Sequence, residues 1–135
     1  MTSPEETKYC LESDFIINLL KGDANAVRFY EEIRNATLAI TAVTSVTLFE
    51  ILRGKEQNLE KVKKFEELRE KMTVLSFGEQ EAEEASQIEK AIHQRGQEIS
   101  PLDLLIGATA KINGEILISN DSDYQRIEGL KLRTY

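Results

Sequence analysis

The stretch YCLESDFIINLL, residues 9–20, decides how this chain folds. It opens with the compact apolar pattern of a buried strand, and FIINLL then has the apolar spacing of a helix. We predict a strand over residues 8–11 and a helix that begins after Asp14 and ends at Gly22. Glu12 and Asp14 therefore stand where a strand becomes a helix. A carboxylate beside apolar sequence is costly unless a partner or a cation compensates its charge.

The alternation of strand and helix continues to the carboxyl end. Asp23, Ser100 and Pro101 are good helix starts, and Gly54, Gly96 and Gly114 are good helix stops. This pattern predicts a three-layer α/β/α sandwich with a short parallel sheet of four or five strands. The further strands are predicted near residues 38–41, 73–77, 115–120 and 130–134, and the further helices over 26–35, around Glu50, and over 59–71, 79–95 and 103–112.

Size and composition narrow the class of protein. The chain has 135 residues, of which 41% are hydrophobic, so we expect a single domain over residues 1–135. Its beginning, MTSPEETKY, lacks the pattern of a secretory signal, and no apolar run is long enough to span a bilayer, so we expect a cytoplasmic protein. The one cysteine, Cys10, excludes an intramolecular disulfide and is expected to be buried. The net charge of -7 argues against broad electrostatic attraction to nucleic acid.

Four short acidic signals are each set against apolar sequence. They are Glu12/Asp14 in the opening stretch, Glu50 in TSVTLFEILRG (44–54), Asp103 in ISPLDLLIGATA (99–110) and Asp121/Asp123 in ILISNDSDY (116–124). Ligands of parallel sheets usually bind beyond the carboxyl ends of the strands. Carboxylates with water suit Mg²⁺ or Mn²⁺, so the four signals together predict a shared metal site.

Each acid also has a purely structural interpretation. Asp14 can cap the first helix, and Asp103 stands three residues after Ser100 in the spacing of a capping box. Glu50 can pair with Arg53 one helical turn away. Asp121 and Asp123 can organise a turn through backbone amides. It is the occurrence of all four signals in one order that favours the metal site.

These four segments resemble the PIN-domain family, and among its members the small VapC-like ribonuclease toxins of toxin-antitoxin pairs. The matching motifs are CLESDFIINLL, TLFEILRG, DLLIGATA and SNDSDY, and the resemblance runs from about Lys8 to Leu132. The resemblance implies that Glu50, Asp103 and Asp121 hold the metal and act in catalysis. From the first motif, Glu12, Asp14 or both would act with them. Asp123 would be a further metal ligand. Family members usually have an aspartate directly after the strand, where this chain has Glu12. In an extended segment Glu12 and Asp14 point to the same side, so both can face one cation.

Other candidate residues point to less specialised roles. His93 near the end of a charged helix is expected at the surface, and Asn120 is expected to close a turn. Ser119 is a candidate for positioning a water or a carboxylate. The aromatic residues Phe29, Tyr30, Phe49 and Phe65 follow helical spacing and are expected in the core or at an interface. No phosphate-binding glycine motif is present.

The function that the resemblance implies is a Mg²⁺- or Mn²⁺-dependent endoribonuclease that cleaves RNA as the toxin of a toxin-antitoxin pair. It also implies a cognate VapB-like antitoxin and a homodimer, with apolar helix surfaces in the first half as the interface. Two alternatives stay open. One is a PIN-type RNA-processing nuclease without an antitoxin, and the other is a degenerate PIN domain that binds RNA or protein without cleaving.

Overall fold

The structure, a computed structural model, describes residues 6–36, 38–54 and 59–135. The expectation of no secretory signal rests on the segment MTSPEETKY, whose first five residues lie outside the described ranges. Within the described ranges, no helix is both long enough and apolar enough to cross a membrane. The described strands are β1 (Thr7–Leu11), β2 (Ala39–Thr44), β3 (Thr73–Leu75), β4 (Ile116–Ile118) and β5 (Lys131–Arg133).

Helices connect consecutive strands. In the described residues they are α1 (Ser13–Leu20), α2 (Ala24–Asn35), α3 (Ser45–Arg53), α4 (Leu59–Glu70), α5 (Glu79–Gln94) and α6 (Pro101–Ile112), and a 3-10 helix (Ser122–Arg126) lies between β4 and β5. Several helix starts follow from capping. The side chain of Asp23 accepts from the Ala26 amide at 3.0 Å, and that of Thr44 accepts from the Thr47 amide at 3.0 Å.

The five strands form one parallel sheet in the order β3-β2-β1-β4-β5. Parallel neighbours need crossover connections, which the helices supply. Because all strands run in one direction, their carboxyl ends meet at one edge of the sheet. Helices cover both faces, and the predicted three-layer sandwich with a parallel sheet is confirmed.

Alternating side chains on the strands separate two apolar clusters, one on each face of the sheet. On β1, Leu11 packs with Phe15 and Ile16 of α1 and with residues of α2 and α4. Cys10 points to the other face, where it packs with residues of α5 and α6. Cys10 is fully buried, as predicted, and burial raises the pKa of its thiol far above the ordinary range.

Close approach of α6 to the 3-10 helix depends on a glycine. A Cβ atom on Gly107 would lie 2.3 Å from Cδ1 of Ile127 and 3.6 Å from the Tyr124 ring. Both neighbours are buried. Gly107 therefore lets α6, which carries Asp103, pack directly on the segment that carries Asp121 and Asp123.

Some predicted boundaries differ from the observed ones. The strands predicted over 73–77 and 115–120 span only Thr73–Leu75 and Ile116–Ile118, although the Ser119 amide still donates to the Arg133 carbonyl of β5 at 3.1 Å. Phe77 then donates its amide to Oγ of Ser45 at 3.1 Å. The strand predicted over 38–41 begins one residue later and continues to Thr44, which caps α3.

The aromatic residues predicted for the core or an interface differ in burial. Phe29 and Phe65 are buried, and Tyr30 is half-buried. Phe49 is 53% exposed on α3, so it is not a core residue, and its place at an interface stays a prediction. Its ring lies 5.2 Å from the guanidinium carbon of Arg53, a cation–π contact at the surface. His93 is exposed on α5, as predicted.

Candidate metal centre

The predicted acids lie at the carboxyl edge of the sheet or on helices that begin there. Glu12 directly follows β1, and Asp121 follows β4 by three residues. Glu50 lies on α3, which begins where β2 ends, and Asp103 lies in the first turn of α6. The parallel direction of the strands therefore places segments that are distant in sequence at one end of the molecule.

Three of these carboxylates form a compact group. Among the residues that the structure describes, Asp103, Asp121 and Asp123 each offer one carboxylate oxygen, and these three oxygens lie within 4.8 Å of one another. Two ligand oxygens on opposite sides of a Mg²⁺ ion are about 4.2 Å apart, since each lies about 2.1 Å from the metal. These oxygens therefore need to move by less than about 1 Å to hold one such ion. The donor set of carboxylate oxygens fits Mg²⁺ or Mn²⁺.

The turn after β4 fixes Asp121 and Asp123 through local hydrogen bonds. Asp121 begins the 3-10 helix and accepts from the Asp123 amide through Oδ1 at 2.9 Å. Oγ of Ser119 accepts from the Asp121 amide at 3.0 Å and so helps to form this turn. Asn120 exchanges two hydrogen bonds with the backbone of Tyr135, at 2.8 and 3.0 Å. Asn120 thus ties the carboxyl end of the chain to this turn.

Asp103 combines a capping position with a place in the carboxylate group. Its amide donates to Oγ of Ser100 at 3.4 Å, so the predicted helix start is confirmed. Its Oδ1 accepts from the Tyr124 hydroxyl at 3.2 Å. Burial raises the pKa of Asp103, hydrogen bonds from Ser100 and Tyr124 oppose that rise, and the charges of Asp121 and Asp123 add to it. Capping and membership of the acidic group are therefore compatible roles.

The two acids of the first motif occupy different environments. Glu12 is only 3% exposed, and its Oε2 accepts from the Asp14 amide at 3.0 Å as the cap of α1. Burial raises the pKa of Glu12 to about 8, and the charge of Asp14 adds to that rise, whereas hydrogen bonds from the Asp14 amide and Ser119 oppose it. Asp14 is exposed in the first turn of the helix. The expectation that both acids share an extended segment is wrong, because α1 begins at Ser13.

Glu50 is held by a residue of the first motif. Oγ of Ser13 donates to Oε1 of Glu50 at 2.6 Å, a contact between residues 37 positions apart. Ser13 is itself buried. This bond connects α1 to α3, and within the described ranges no ion pair joins Glu50 to Arg53, the contact of its alternative structural interpretation. In the structure, the Arg53 guanidinium lies over Phe49.

Sequence reasoning missed two residues of the centre, Ser13 and Tyr124. Tyr124 is fully buried, and its hydroxyl pKa is raised by burial and then by Glu12, Asp103 and Glu50. That hydroxyl therefore lies close enough to three of the four acidic segments for their charges to raise its pKa. The signal for both residues was present in the sequence, since Ser13 stands between the two acids of the first motif and Tyr124 directly follows Asp123.

The fold and the centre define a class: an α/β protein with a carboxylate-rich, all-oxygen centre at the carboxyl edge of a parallel sheet. More narrowly, the chain belongs to the PIN-domain family, because the family's sequence model for the PIN domain matches residues 9–130. The predicted resemblance is thereby confirmed.

Individual relatives agree with this assignment. The chain is 26% identical over 131 residues to the tRNA(fMet)-specific endonuclease VapC of Shigella flexneri. The aligned region covers 92% of this chain and 95% of that protein. The fold of this chain is similar to VapBC2 from Rickettsia felis bound to a DNA fragment from their promoter, with a TM-score of 0.83, 21% identity, and coverage of 96% of this chain and 99% of that one. VapBC-1 from nontypeable Haemophilus influenzae gives a TM-score of 0.81 with 24% identity, covering 95% of this chain and 98% of the other.

Proposed function

We propose that this protein is a metal-dependent endoribonuclease of the VapC type, which cleaves RNA in the cytoplasm and is restrained by a cognate VapB-like antitoxin. The observation that carries the proposal is the convergence of Asp103, Asp121 and Asp123 within 4.8 Å at the carboxyl edge of a PIN-domain sheet. The similarity to a VapC endonuclease over nearly the whole chain supports the reaction class.

The metal of this proposal is Mg²⁺ or Mn²⁺. Asp103, Asp121 and Asp123 would hold it, with Glu12, Asp14 and Glu50 completing the acidic centre. Held there, such an ion would supply a site for the scissile phosphate, a lower pKa for an attacking water and charge stabilisation at the leaving oxygen. Hydroxyl groups of this chain hold three of the carboxylates through hydrogen bonds. Ser13 holds Glu50, Ser119 holds Glu12, and Tyr124 holds Asp103.

The proposed protein partners are an antitoxin and a second copy of the chain. Ile17 of α1 and Leu52 of α3 are 38% and 42% exposed, and Phe49 is more exposed still. A groove of about 330 Å³ between α1, α3 and α4 is lined largely by apolar side chains. Exposed apolar surface of this kind marks interaction sites. The VapBC structures similar to this chain support an antitoxin as one of the partners.

One observation favours a second candidate, a PIN domain that binds RNA or protein without cleaving it. Glu12 stands where most family members have aspartate, and its pKa of about 8 means that it is largely uncharged at neutral pH in the metal-free protein. If a cation does not displace that proton, the centre lacks one of its negative charges. Metal binding and cleavage therefore separate the two candidates.

The test compares Asp103→Asn with the wild-type protein. Asparagine keeps an oxygen that accepts from Tyr124 and Ser100 but removes one charge from the acidic group. We expect wild type to bind Mn²⁺ in calorimetry and to cleave structured RNAs, and Asp103→Asn to lose both while its free energy of unfolding stays within about 1 kcal/mol of wild type.

Asp23→Asn is the matched control, because Asp23 also stands at a helix start and caps α2 but lies outside the acidic group. It should bind Mn²⁺ and cleave RNA like wild type. The nuclease proposal is wrong if wild type binds no Mn²⁺. Mn²⁺ binding without cleavage of any RNA would favour the binding module instead.

A further inference from the structure

The three converging carboxylates come from two separate segments of chain. Asp121 and Asp123 belong to the 3-10 helix Ser122–Arg126 and its cap, whereas Asp103 belongs to α6. Each segment fixes its own acids through local hydrogen bonds, but such bonds do not set the distance between segments. The Tyr124 hydroxyl joins the two segments where it donates to Asp103, and Gly107 allows them to pack closely. A contact between Asp123 itself and the chain just before α6 would add a restraint on that carboxylate.

Arg126 makes that contact. Its Nη1 donates to the carbonyl oxygen of Glu98 at 2.7 Å and lies 3.2 Å from Oδ1 of Asp123. Glu98 is in the loop that leads to Ser100, the cap of α6. The backbone carbonyl of Arg126 in turn accepts from Nη2 of Arg95, which caps the end of α5. Two hydrogen bonds, one in each direction, therefore fasten the end of the 3-10 helix to the segment between α5 and α6.

An isolated ion pair at this exposure contributes little to stability. Arg126 and Asp123 are each 38% exposed in their side chains, and exposed pairs typically contribute about 0–1 kcal/mol. The geometry matters more than the pair energy, because one guanidinium nitrogen contacts both a ligand carboxylate and a fixed backbone oxygen. This contact links Asp123 to the loop that precedes α6, the helix that carries Asp103.

We propose that Arg126 is a positioning residue of the metal centre, which holds Asp123 at the distance from Asp103 that a single divalent cation requires. This inference rests on the proposed function, since it assumes that the acidic group binds the cation. Arg126 acts through Asp123 and has no direct contact with substrate in this role.

Electrostatics and positioning give opposite expectations for Arg126→Gln. Removing a positive charge next to a cation site lowers the repulsion of the incoming metal, so the loss of charge alone tightens Mn²⁺ binding. Loss of a residue that orients a metal ligand typically weakens metal affinity about 10- to 100-fold. The direction of the change therefore distinguishes a positioning residue from a nearby charge.

The experiment measures Mn²⁺ affinity by calorimetry for the full chain and its variants. We expect Arg126→Gln to weaken binding about 10- to 100-fold. Arg126→Lys keeps the charge and one donor nitrogen, so its affinity should fall between those of wild type and Arg126→Gln, and it provides a second variant if the glutamine variant does not fold. Arg28→Gln is the matched control, because Arg28 is exposed and its side chain bonds only to Asn25 within α2 among the contacts of the described residues. It should bind Mn²⁺ like wild type.

A double-mutant cycle tests whether Arg126 acts through Asp123. In an Asp123→Asn background, Arg126→Gln should cost much less affinity than it costs in wild type. An equal loss in both backgrounds, or unchanged or tighter binding by Arg126→Gln alone, would overturn the inference and leave the nuclease proposal standing. Absence of Mn²⁺ binding by wild type would overturn both.

Discussion

Glu12→Gln should change how the stability of the metal-free protein depends on pH. Glu12 is 3% exposed, and burial raises its pKa from 4.5 to about 8. Glutamine has nearly the same shape and keeps an oxygen for the Asp14 amide, but it never acquires a charge. The variant therefore removes the cost of ionising a buried acid and leaves the cap of α1 in place.

The magnitude follows from the two pKa values. At about 1.4 kcal/mol for each pH unit between them, the folded state disfavours ionised Glu12 by roughly 5 kcal/mol relative to the unfolded chain. Because the folded-state pKa is the higher one, the stability that protonated Glu12 contributes to the folded state is fully present below about pH 4.5. This contribution declines between pH 4.5 and 8 and is lost above about pH 8. Folded domains are stable by only about 5–15 kcal/mol, so the effect is large.

The assay is urea unfolding of wild type and Glu12→Gln at several pH values from 5 to 9, in the presence of a chelator. We expect similar free energies of unfolding near pH 5 and an advantage for the variant that grows to about 3–5 kcal/mol by pH 9. Other acids with raised pKa values, such as Asp103, contribute to both proteins and largely cancel in the difference. Glu83→Gln, at an exposed position on α5, should follow the wild-type curve. Parallel curves for wild type and Glu12→Gln would refute the reasoning.

Three further predictions concern the same chemistry. Mn²⁺ binding at pH 7 should release close to one proton per chain from Glu12, because its pKa of about 8 leaves it protonated in the metal-free protein, and calorimetry in two buffers should show that release disappear in Glu12→Gln. Ser13→Ala removes the 2.6 Å bond to Glu50 and should lower the free energy of unfolding by about 1–3 kcal/mol in urea titrations and weaken Mn²⁺ binding, whereas Ser86→Ala, an exposed serine bonded within its own helix, should change neither. Glu115→Gln should stabilise the protein increasingly as pH rises in the same unfolding assay, because burial raises the pKa of Glu115 and its Oε1 has no hydrogen-bond partner among the described residues; an unchanged pH profile would contradict this.

The order of strands and helices could be read from the sequence because the signals are local. Asp23 and Ser100 cap the helices that follow them, and apolar runs mark the strands. The ends of β3 and β4 could not be predicted from the sequence. After β3, for example, the Phe77 amide bonds to Ser45, which is distant in sequence. The exposure of Phe49 could not be predicted either. Helical spacing predicts which residues share a face, but it does not say whether another element covers that face.

The acidic centre was predictable as a set but not as a geometry. Asp103, Asp121 and Asp123 could be named from their motifs, and the parallel sheet brings them together. The sequence could not show that Glu12 is buried and Asp14 exposed, because that difference depends on where α1 begins. The bonds of Ser13 to Glu50 and of Arg126 to Glu98 join residues 37 and 28 positions apart, and no local pattern encodes such contacts.

The central claim is that the carboxylates at the carboxyl edge of the sheet form one divalent-cation site. A crystal structure of the protein soaked in Mn²⁺, with anomalous difference density, tests it most directly. We predict a peak coordinated by oxygens of Asp103, Asp121 and Asp123, with Glu12 turned toward the same ion or its water. A fully soaked crystal without a peak among these three carboxylates would contradict the account.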